Sequence, residues 1–236
     1  MKKHQQIEVF CDFDGTVTAG DTVDLLLETL ADEEWKAIEK RWVDGEIGSR
    51  ECMALQVPLI RGGWPKMLEV LETVKVDKSF ATFVHWCRMR SIPISIVSDG
   101  IDRVIKHLLD REGIKIDNIW ANQLIETADG GLGLQFPKPR RVVCSSGLCK
   151  CQVLDKAGSA PLKVVIGDGR SDFCWSQNAD LVFAKDKLLT HCQTNNISYL
   201  PYDNFVQIRV LLEELNVGVH QPVAAPAQGK MLFAQT

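Results

Sequence analysis

Four short stretches of the chain carry side chains suited to phosphoryl-transfer chemistry. In chain order they are Asp12-Phe13-Asp14-Gly15-Thr16, Ser98-Asp99-Gly100, Lys150 and Gly167-Asp168-Gly169-Arg170-Ser171-Asp172. The three longer stretches each follow an apolar run that is typical of a buried strand. In open α/β sheets the ligand site lies beyond the carboxyl ends of the strands, so we expect these groups to meet at one sheet edge.

The first stretch supplies two carboxylates with different expected roles. Asp12, at the end of the first strand, would attack phosphorus and form an aspartyl phosphate. Asp14 follows two residues later, on the same side of an extended chain. It would protonate the leaving oxygen and then deprotonate the attacking water. The pair predicts hydrolysis of a phosphate monoester in two steps.

Carboxylates placed this close to each other repel unless a cation lies between them. Mg²⁺ prefers oxygen ligands and retains water and substrate oxygens in its shell, so we expect Mg²⁺ as the cofactor. The expected ligands are the side chains of Asp12 and Asp168 and the backbone carbonyl of Asp14. Asp172 would bind directly or through water.

The remaining polar groups predict a phosphate-binding site. The Ser98 hydroxyl and the backbone N–H groups of Asp99 and Gly100 would hold phosphoryl oxygens, and Gly100 would allow close approach of the backbone. Lys150 would offset the charge of the nucleophile and of the phosphate. Lys138 competes for this role, but its neighbouring prolines and arginines favour an exposed loop.

Composition narrows the possible partners. The net charge of -4 provides no basic surface for nucleic acid, so we expect a small phosphorylated metabolite instead. We expect no membrane segment and a cytoplasmic location, and the sequence leaves monomer and homodimer open. The eight cysteines are expected to be reduced. Cys144, Cys149 and Cys151 lack a fourth ligand of zinc-site spacing, which favours simple thiols.

The pattern of apolar segments predicts an α/β fold. Strands expected at 7–11, 92–97, 162–166 and 181–184 alternate with helices, which indicates a parallel, Rossmann-like sheet. From residue 19 to 89 the pattern is helical throughout, which predicts a helical cap inserted into a core formed by residues 1–18 and 90–216. Residues 116–136 indicate a β-hairpin at the sheet margin. Residues 217–236 are expected to form a flexible tail.

Taken together, the four stretches resemble the signature of the haloacid dehalogenase superfamily of phosphohydrolases. The resemblance spans about Ile7 to Leu215 and implies for the site residues the roles given above. The helical insert is similar to the cap of the phosphoserine phosphatase branch. Within that branch, Gly167 to Asp172, Ala179 to Asp186, Leu200-Pro201-Tyr202 with Phe205, and Cys149-Lys150 resemble the phosphatases that act on 2-hydroxy-3-keto-5-methylthiopentenyl-1-phosphate in methionine salvage.

Two cap positions bear on the choice of substrate. Phosphoserine phosphatases carry an acidic residue after the first motif, which Asp21 could match, and a cap arginine, whose place is taken here by Gln56. An amide cannot pair with a carboxylate as a guanidinium does, so phosphoserine fits less well. A phosphoserine- or phosphocholine-type phosphatase, a mutase and a non-hydrolytic, receiver-like protein remain as alternatives.

Overall fold

A seven-stranded, mostly parallel sheet forms the centre of the molecule. The computed structural model describes residues 6–128, 130–137, 144–157 and 162–216. Within these ranges the strand order is β4-β3-β2-β1-β5-β6-β7, and only the β3–β4 pair is antiparallel. The α/β fold with a Rossmann-like core is thereby confirmed. Lys138 and residues 217–236 lie outside the described residues, so the expectations for them stay predictions.

The strands and helices have the following bounds. The strands are β1 Ile7–Cys11, β2 Ile94–Ile101, β3 Asn118–Glu126, β4 Leu132–Gln135, β5 Leu162–Gly167, β6 Leu181–Ala184 and β7 Leu200–Pro201. The helices are α1 Thr22–Leu30, α2 Glu34–Val43, α3 Ser49–Gln56, α4 Gly63–Leu71, α5 Lys78–Met89, α6 Asp102–Arg111, α7 Lys150–Lys156, α8 Phe173–Ser176, α9 Asp186–Thr194 and α10 Phe205–Asn216. Short 3₁₀ turns cover Val57–Leu59 and Arg170–Asp172.

Strand β1 is buried on both faces, which explains its continuous apolar sequence. Val9 and Cys11 pack into the larger core cluster, whereas Phe10 packs into a second cluster on the other face, which also contains Trp175. Alternating side chains of one strand therefore reach both layers of helices. This burial fixes β1 between β2 and β5, so that Asp12 leaves the strand at the centre of the sheet edge.

The expected strands and the hairpin are confirmed, with shifts at their ends. The strand expected at 92–97 begins at Ile94 and continues through the Ser98-Asp99-Gly100 stretch to Ile101. Strand β7 was not expected, because two residues give no periodicity; it is defined only by its pairing with β6.

The helical insert joins the core through two adjacent chain segments. Thr18 forms an antiparallel bridge with Val76, and the Ala19 and Asp77 N–H groups donate to the carbonyls of Lys75 and Val17. The chain thus leaves the core near residue 18 and returns near residue 76. We propose that the cap comprises α1 to α4, because α5 follows this crossing and packs against α10 in the core.

Aromatic packing holds α5 to α10. The Phe205 ring lies with its centroid 4.7 Å from that of Phe80 and 5.4 Å from that of Phe83, and all three side chains are almost fully buried. Tyr202, just before α10, extends the cluster. The contacts anchor the last described helix beneath the sheet and so stabilise the whole core.

We expect Phe205→Ala to lower the free energy of unfolding by about 3–5 kcal/mol, because it leaves a cavity among these rings. Val206→Ala is the matched control, since Val206 is 48% exposed and should change stability by less than about 0.5 kcal/mol. Urea unfolding followed by circular dichroism measures both. Equal effects of the two substitutions would contradict the packing described.

Candidate active site

A cavity of about 550 Å³ opens at the carboxyl end of the sheet, between the core and the cap. The candidate site residues that line it are Asp12, Asp14, Asp21, Gln56, Ser98, Asp99, Gly100 and Asp168. Lys150 and Asp172 lie behind this wall and are almost fully buried. The structure therefore brings these ten candidate residues together, whereas Lys138, the alternative to Lys150, lies outside the described residues.

Lys150 sits between two buried carboxylates. Its Nζ lies 2.7 Å from Asp12 Oδ2 and 2.8 Å from Asp172 Oδ1. It begins α7, and Trp175 lies beneath the ammonium with its ring centroid 4.9 Å away. The Phe13 N–H donates to the other Asp12 oxygen at 2.7 Å. Both oxygens of Asp12 are thus oriented by donors.

The loop after β5 positions two further carboxylates. Asp168 Oδ1 accepts from the Thr16 hydroxyl at 2.7 Å, which links this loop to the end of β1. Asp172 Oδ2 accepts from the backbone N–H groups of Asp168 and Gly169 at 3.0 and 3.1 Å. Asp172 therefore orients the loop with one oxygen and Lys150 with the other.

Burial shifts the proton equilibria of these groups. It raises the pKa of Asp12 well above its usual range, with Asp172 adding to the effect and Lys150 opposing it. Burial lowers the pKa of Lys150, but Asp12 and Asp172 together raise it above its ordinary value, so the ammonium stays protonated. Burial raises the pKa of Asp168 to about 6. Burial and then the charge of Asp21 raise the pKa of Asp14 to about 7.

The end of β2 forms a small cradle facing Asp14. The Gly100 N–H donates to the Ser98 hydroxyl at 3.0 Å. A Cβ at Gly100 would lie 2.4 Å from Asp14 Oδ2, so a glycine is needed for the strand to approach this carboxylate. The other oxygen, Asp14 Oδ1, accepts from the Thr22 N–H of the cap at 2.9 Å.

The cap end of the cavity is acidic. Asp21, Asp24 and Glu39 line it, and burial followed by the charges of Asp21 and Glu39 raises the pKa of Asp24 to about 7. Gln56 is buried, and its amide nitrogen donates to Glu39 at 3.0 Å and to the Trp35 carbonyl at 3.4 Å.

Among the cavity-lining residues that the structure describes, the only basic ones are Arg170 and Lys187, and both belong to the core. The cap wall therefore contains no cation that could pair with a carboxylate.

Three carboxylates form a potential metal-binding group. Ligand oxygens of Asp12, Asp168 and Asp172 lie within 4.8 Å of one another. Hard oxygen donors in this number suit Mg²⁺. Burial first, and repulsion from Asp172 as a lesser cause, raise the pKa of Asp12 and Asp168, and a cation among them would favour their ionised forms. The residues present thus fit a magnesium site.

The order of the site residues along the sheet matches a known family. The sequence profile of the haloacid dehalogenase-like hydrolases matches residues 9–177, which is most of the chain. The protein belongs to this family. The resemblance seen in the sequence motifs is thereby confirmed.

Haloacid dehalogenase-like relatives align along nearly the whole chain. A protein of Bacillus thuringiensis subsp. konkukian (strain 97-27), named 2-hydroxy-3-keto-5-methylthiopentenyl-1-phosphate phosphatase, is 30% identical over 218 residues, which cover 89% of this chain and 97% of the relative. A Bacillus anthracis protein of the same name is 29% identical with the same coverage.

Solved structures of phosphoserine phosphatases share the fold. A phospho-aspartyl intermediate analogue of phosphoserine phosphatase superposes with a TM-score of 0.65 at 20% identity, covering 89% of this chain and 98% of that one. A substrate-bound phosphoserine phosphatase complex superposes with a TM-score of 0.61 at 20% identity, covering 79% and 90%. At this identity the likeness concerns the haloacid dehalogenase fold alone.

The expectations about membrane segments and about the cysteines can be compared with the described residues. In these parts of the chain no helix has both the length and the apolarity needed to cross a bilayer. All eight cysteines lie in described segments, and none is in a disulfide. Cys149 and Cys151 are buried beside Lys150.

Sequence reasoning missed several residues that shape this haloacid dehalogenase site. Thr16 was included in the first motif, but its hydrogen bond to Asp168 was not foreseen. Ser49 and Glu39 line the cavity, and Asn122 lies behind it against Asp99. These three residues had no local signal, since α3, α2 and β3 bring them to the site only after folding. Trp42 of the cap also lines the cavity, and the Arg170 guanidinium lies 5.0 Å from its ring centroid.

We expect Asp24→Asn to raise the melting temperature more at pH 8.5 than at pH 5.5. The folded-state pKa of Asp24, about 7, lies above the unfolded value of about 4, so the native state loses stability as the pH rises between these values, and the full loss is present at pH 8.5. Asp24 is exposed to the cavity, so solvent screens part of this loss. The asparagine side chain of Asp24→Asn does not ionise, so this loss of stability is absent from the variant. Asp110→Asn, on the exposed face of α6, serves as the control for a generic charge change. A gain that does not depend on pH would contradict the repulsion described.

Proposed function

We propose that this phosphatase of the haloacid dehalogenase family hydrolyses small phosphomonoesters through a phosphorylated Asp12, with Mg²⁺ as cofactor. The observation that carries the proposal is the convergence of a lysine-paired carboxylate, Asp12, with Asp14 and Asp168 at one sheet edge. Each of these groups has a defined task in moving a phosphoryl group.

Asp12 is the nucleophile. One of its oxygens attacks phosphorus while the bond from phosphorus to the leaving alkoxide breaks. The Phe13 N–H and the Lys150 ammonium hold its two oxygens at 2.7 Å each, which limits the carboxylate to one orientation. The same ammonium offsets negative charge that accumulates on the phosphoryl oxygens.

Asp14 moves the proton in both steps. Its pKa of about 7 allows the protonated form to give a proton to the leaving alkoxide near neutral pH. The resulting carboxylate then takes a proton from the water whose oxygen attacks phosphorus and releases Asp12. Oδ2 of Asp14 faces Gly100 in the cradle, whereas Oδ1 is held by Thr22. Ser98 and the following backbone N–H groups would bind the phosphoryl oxygens.

The metal would be held by the Asp12 and Asp168 carboxylates and the Asp14 backbone carbonyl. Asp172 is fully buried behind the cavity wall, and its Oδ2 already accepts from two backbone N–H groups, which favours a contact through water. Bound Mg²⁺ would lower the repulsion among these carboxylates and withdraw charge from the phosphoryl group.

The leading candidate substrate is 2-hydroxy-3-keto-5-methylthiopentenyl-1-phosphate, of methionine salvage. The names of the relatives at about 30% identity support it. Trp42, Val43 and Met53 provide apolar surface on the cap side of the cavity, which suits an uncharged thioether tail.

A phosphocholine-type substrate is the second candidate, and the acidic cap wall favours it. Asp21, Asp24 and Glu39 would attract a cationic tail and repel a carboxylate. Phosphoserine fits less well, because its carboxylate would meet these groups and the Gln56 nitrogen is already bonded to Glu39.

We expect Asp12→Asn to reduce turnover by more than about 10³-fold, because the amide cannot attack phosphorus. The measurement is phosphate release from p-nitrophenyl phosphate with Mg²⁺. Circular dichroism and the urea midpoint of the variant establish that it is folded. Turnover near the wild-type rate in a folded variant would refute the mechanism.

A substrate panel tests the function and the cap chemistry together. The methylthiopentenyl phosphate, phosphocholine and O-phosphoserine are assayed with Mg²⁺ and again with the metal chelated. We expect phosphoserine to be the poorest of the three and chelation to abolish turnover.

Glu39→Gln should raise kcat/KM for phosphoserine several-fold by removing one repelling charge. Glu34→Gln, on the exposed face of α2, is the matched control. Phosphoserine as the best substrate would contradict the cap assignment.

A further inference from the structure

The side chain of Asp99 has no task in the chemistry proposed above, yet it accepts hydrogen bonds from three separate elements. The Ser49 hydroxyl donates to Oδ2 from the start of cap helix α3. The Leu148 N–H donates to Oδ1 at 2.7 Å, from the loop that leads into Lys150. The Asn122 amide donates to the same oxygen at 3.2 Å, from β3. One carboxylate therefore connects the cap, the core sheet and the lysine loop.

The core side of this junction is tightly packed. Asn122 is fully buried, and its amide nitrogen also donates to the Asp99 backbone carbonyl. A Cβ at Gly147 would lie 2.7 Å from the Asn122 amide and 2.8 Å from Asp99 Oδ1. The loop before Lys150 therefore lies directly against the pair, and the Asp99 carboxylate has little freedom to rotate.

The cap side of the junction is a pair of adjacent hydrogen bonds. Beside the bond from Ser49, the Arg50 N–H donates to the Ser145 carbonyl at 3.1 Å. Gly48 is the N-cap residue of α3, and no side chain caps this helix end. The Ser49 hydroxyl is thus used to contact the core and not to cap its own helix.

We propose that Asp99 is a positioning residue that couples cap closure to the phosphate-binding residues, with Ser49 as its cap partner. Asp99 lies between Ser98 and Gly100, and its partner Leu148 precedes Lys150 by two residues, so the segments that flank the phosphoryl position share one carboxylate. The contact from Ser49 forms only when α3 rests on the core. The assignment rests on the function proposed for this site.

Hydrogen–deuterium exchange tests the cap contact on the resting protein. Ser49→Ala removes the hydroxyl and should speed exchange of the Arg50 amide about tenfold, because closure loses a hydrogen bond to a carboxylate. The control is Thr29→Ala. The Thr29 hydroxyl also lies in the cap domain, but it donates to the Leu25 carbonyl of its own helix. An unchanged Arg50 rate in Ser49→Ala, or an equal effect of Thr29→Ala, would overturn the proposal.

Steady-state kinetics with p-nitrophenyl phosphate separate the two sides of the junction. Ser49→Ala should raise KM several-fold with kcat within about twofold, since only cap closure is weakened. Asp99→Ala should lower kcat at least tenfold, because the phosphate-binding residues and the lysine loop lose their common anchor. Asp99→Asn should restore kcat to within about threefold, because the amide oxygen still accepts from Leu148 and its nitrogen can donate to Ser49.

The outcomes distinguish this proposal from the proposed function. An Asp99→Asn variant that folds and is as slow as Asp99→Ala would overturn the positioning role, and so would the same kcat loss in Ser49→Ala and Asp99→Ala. A wild-type protein without phosphatase activity would refute the proposed function instead. The exchange experiment on the resting protein would then still decide whether Ser49 and Asp99 hold the cap.

Discussion

The pairing of the Lys150 ammonium with the Asp12 and Asp172 carboxylates is the constraint on which the rest of the site depends. All three groups are almost fully buried, and a buried charge without a partner is strongly destabilising. They can be buried only together, so β1, the start of α7 and the loop after β5 must dock in one arrangement. That arrangement places Asp12, the proposed nucleophile, close to Asp168 and Asp172, the carboxylates proposed to bind the metal directly or through water.

The cavity has two ends with different electrostatics. At the core end Lys150 and the ends of parallel strands surround the position proposed for the phosphoryl group, in a chain of the haloacid dehalogenase family. At the cap end Asp21, Asp24 and Glu39 form a wall that has no basic residue among the described residues of the cap. The chain passes between the core and the cap at one pair of neighbouring segments, where Thr18 pairs with Val76. Solved phosphoserine phosphatases share this fold. At the cap end of this chain the Gln56 amide is already bonded to Glu39.

Two hydrogen bonds connect the cap to the strand ends at the core side of the cavity. Thr22 of the cap donates to Asp14, and Ser49 donates to Asp99, so the segments that follow β1 and end β2 each receive a hydrogen bond from the cap. Asp14 is the proposed proton-transfer group, and Asp99 lies between the proposed phosphate-binding residues. Both segments are therefore bonded directly to the cap.

The sequence alone determined the fold class, the buried strands β1, β5 and β6 and the residues of the four motifs, because these depend on local apolar runs and on residues next to strand ends. It also identified Asp21 and Gln56 as cap positions on the cavity. Only the structure gives the hydrogen bonds of Glu39, Ser49 and Asn122. It also shows that one oxygen of Asp172 bonds to Lys150 while the other bonds to the backbone. Hydrogen bonds between residues tens of positions apart leave no periodic signal in a sequence. They are fixed only when buried polar groups find partners as the cap, the sheet and the helices pack together.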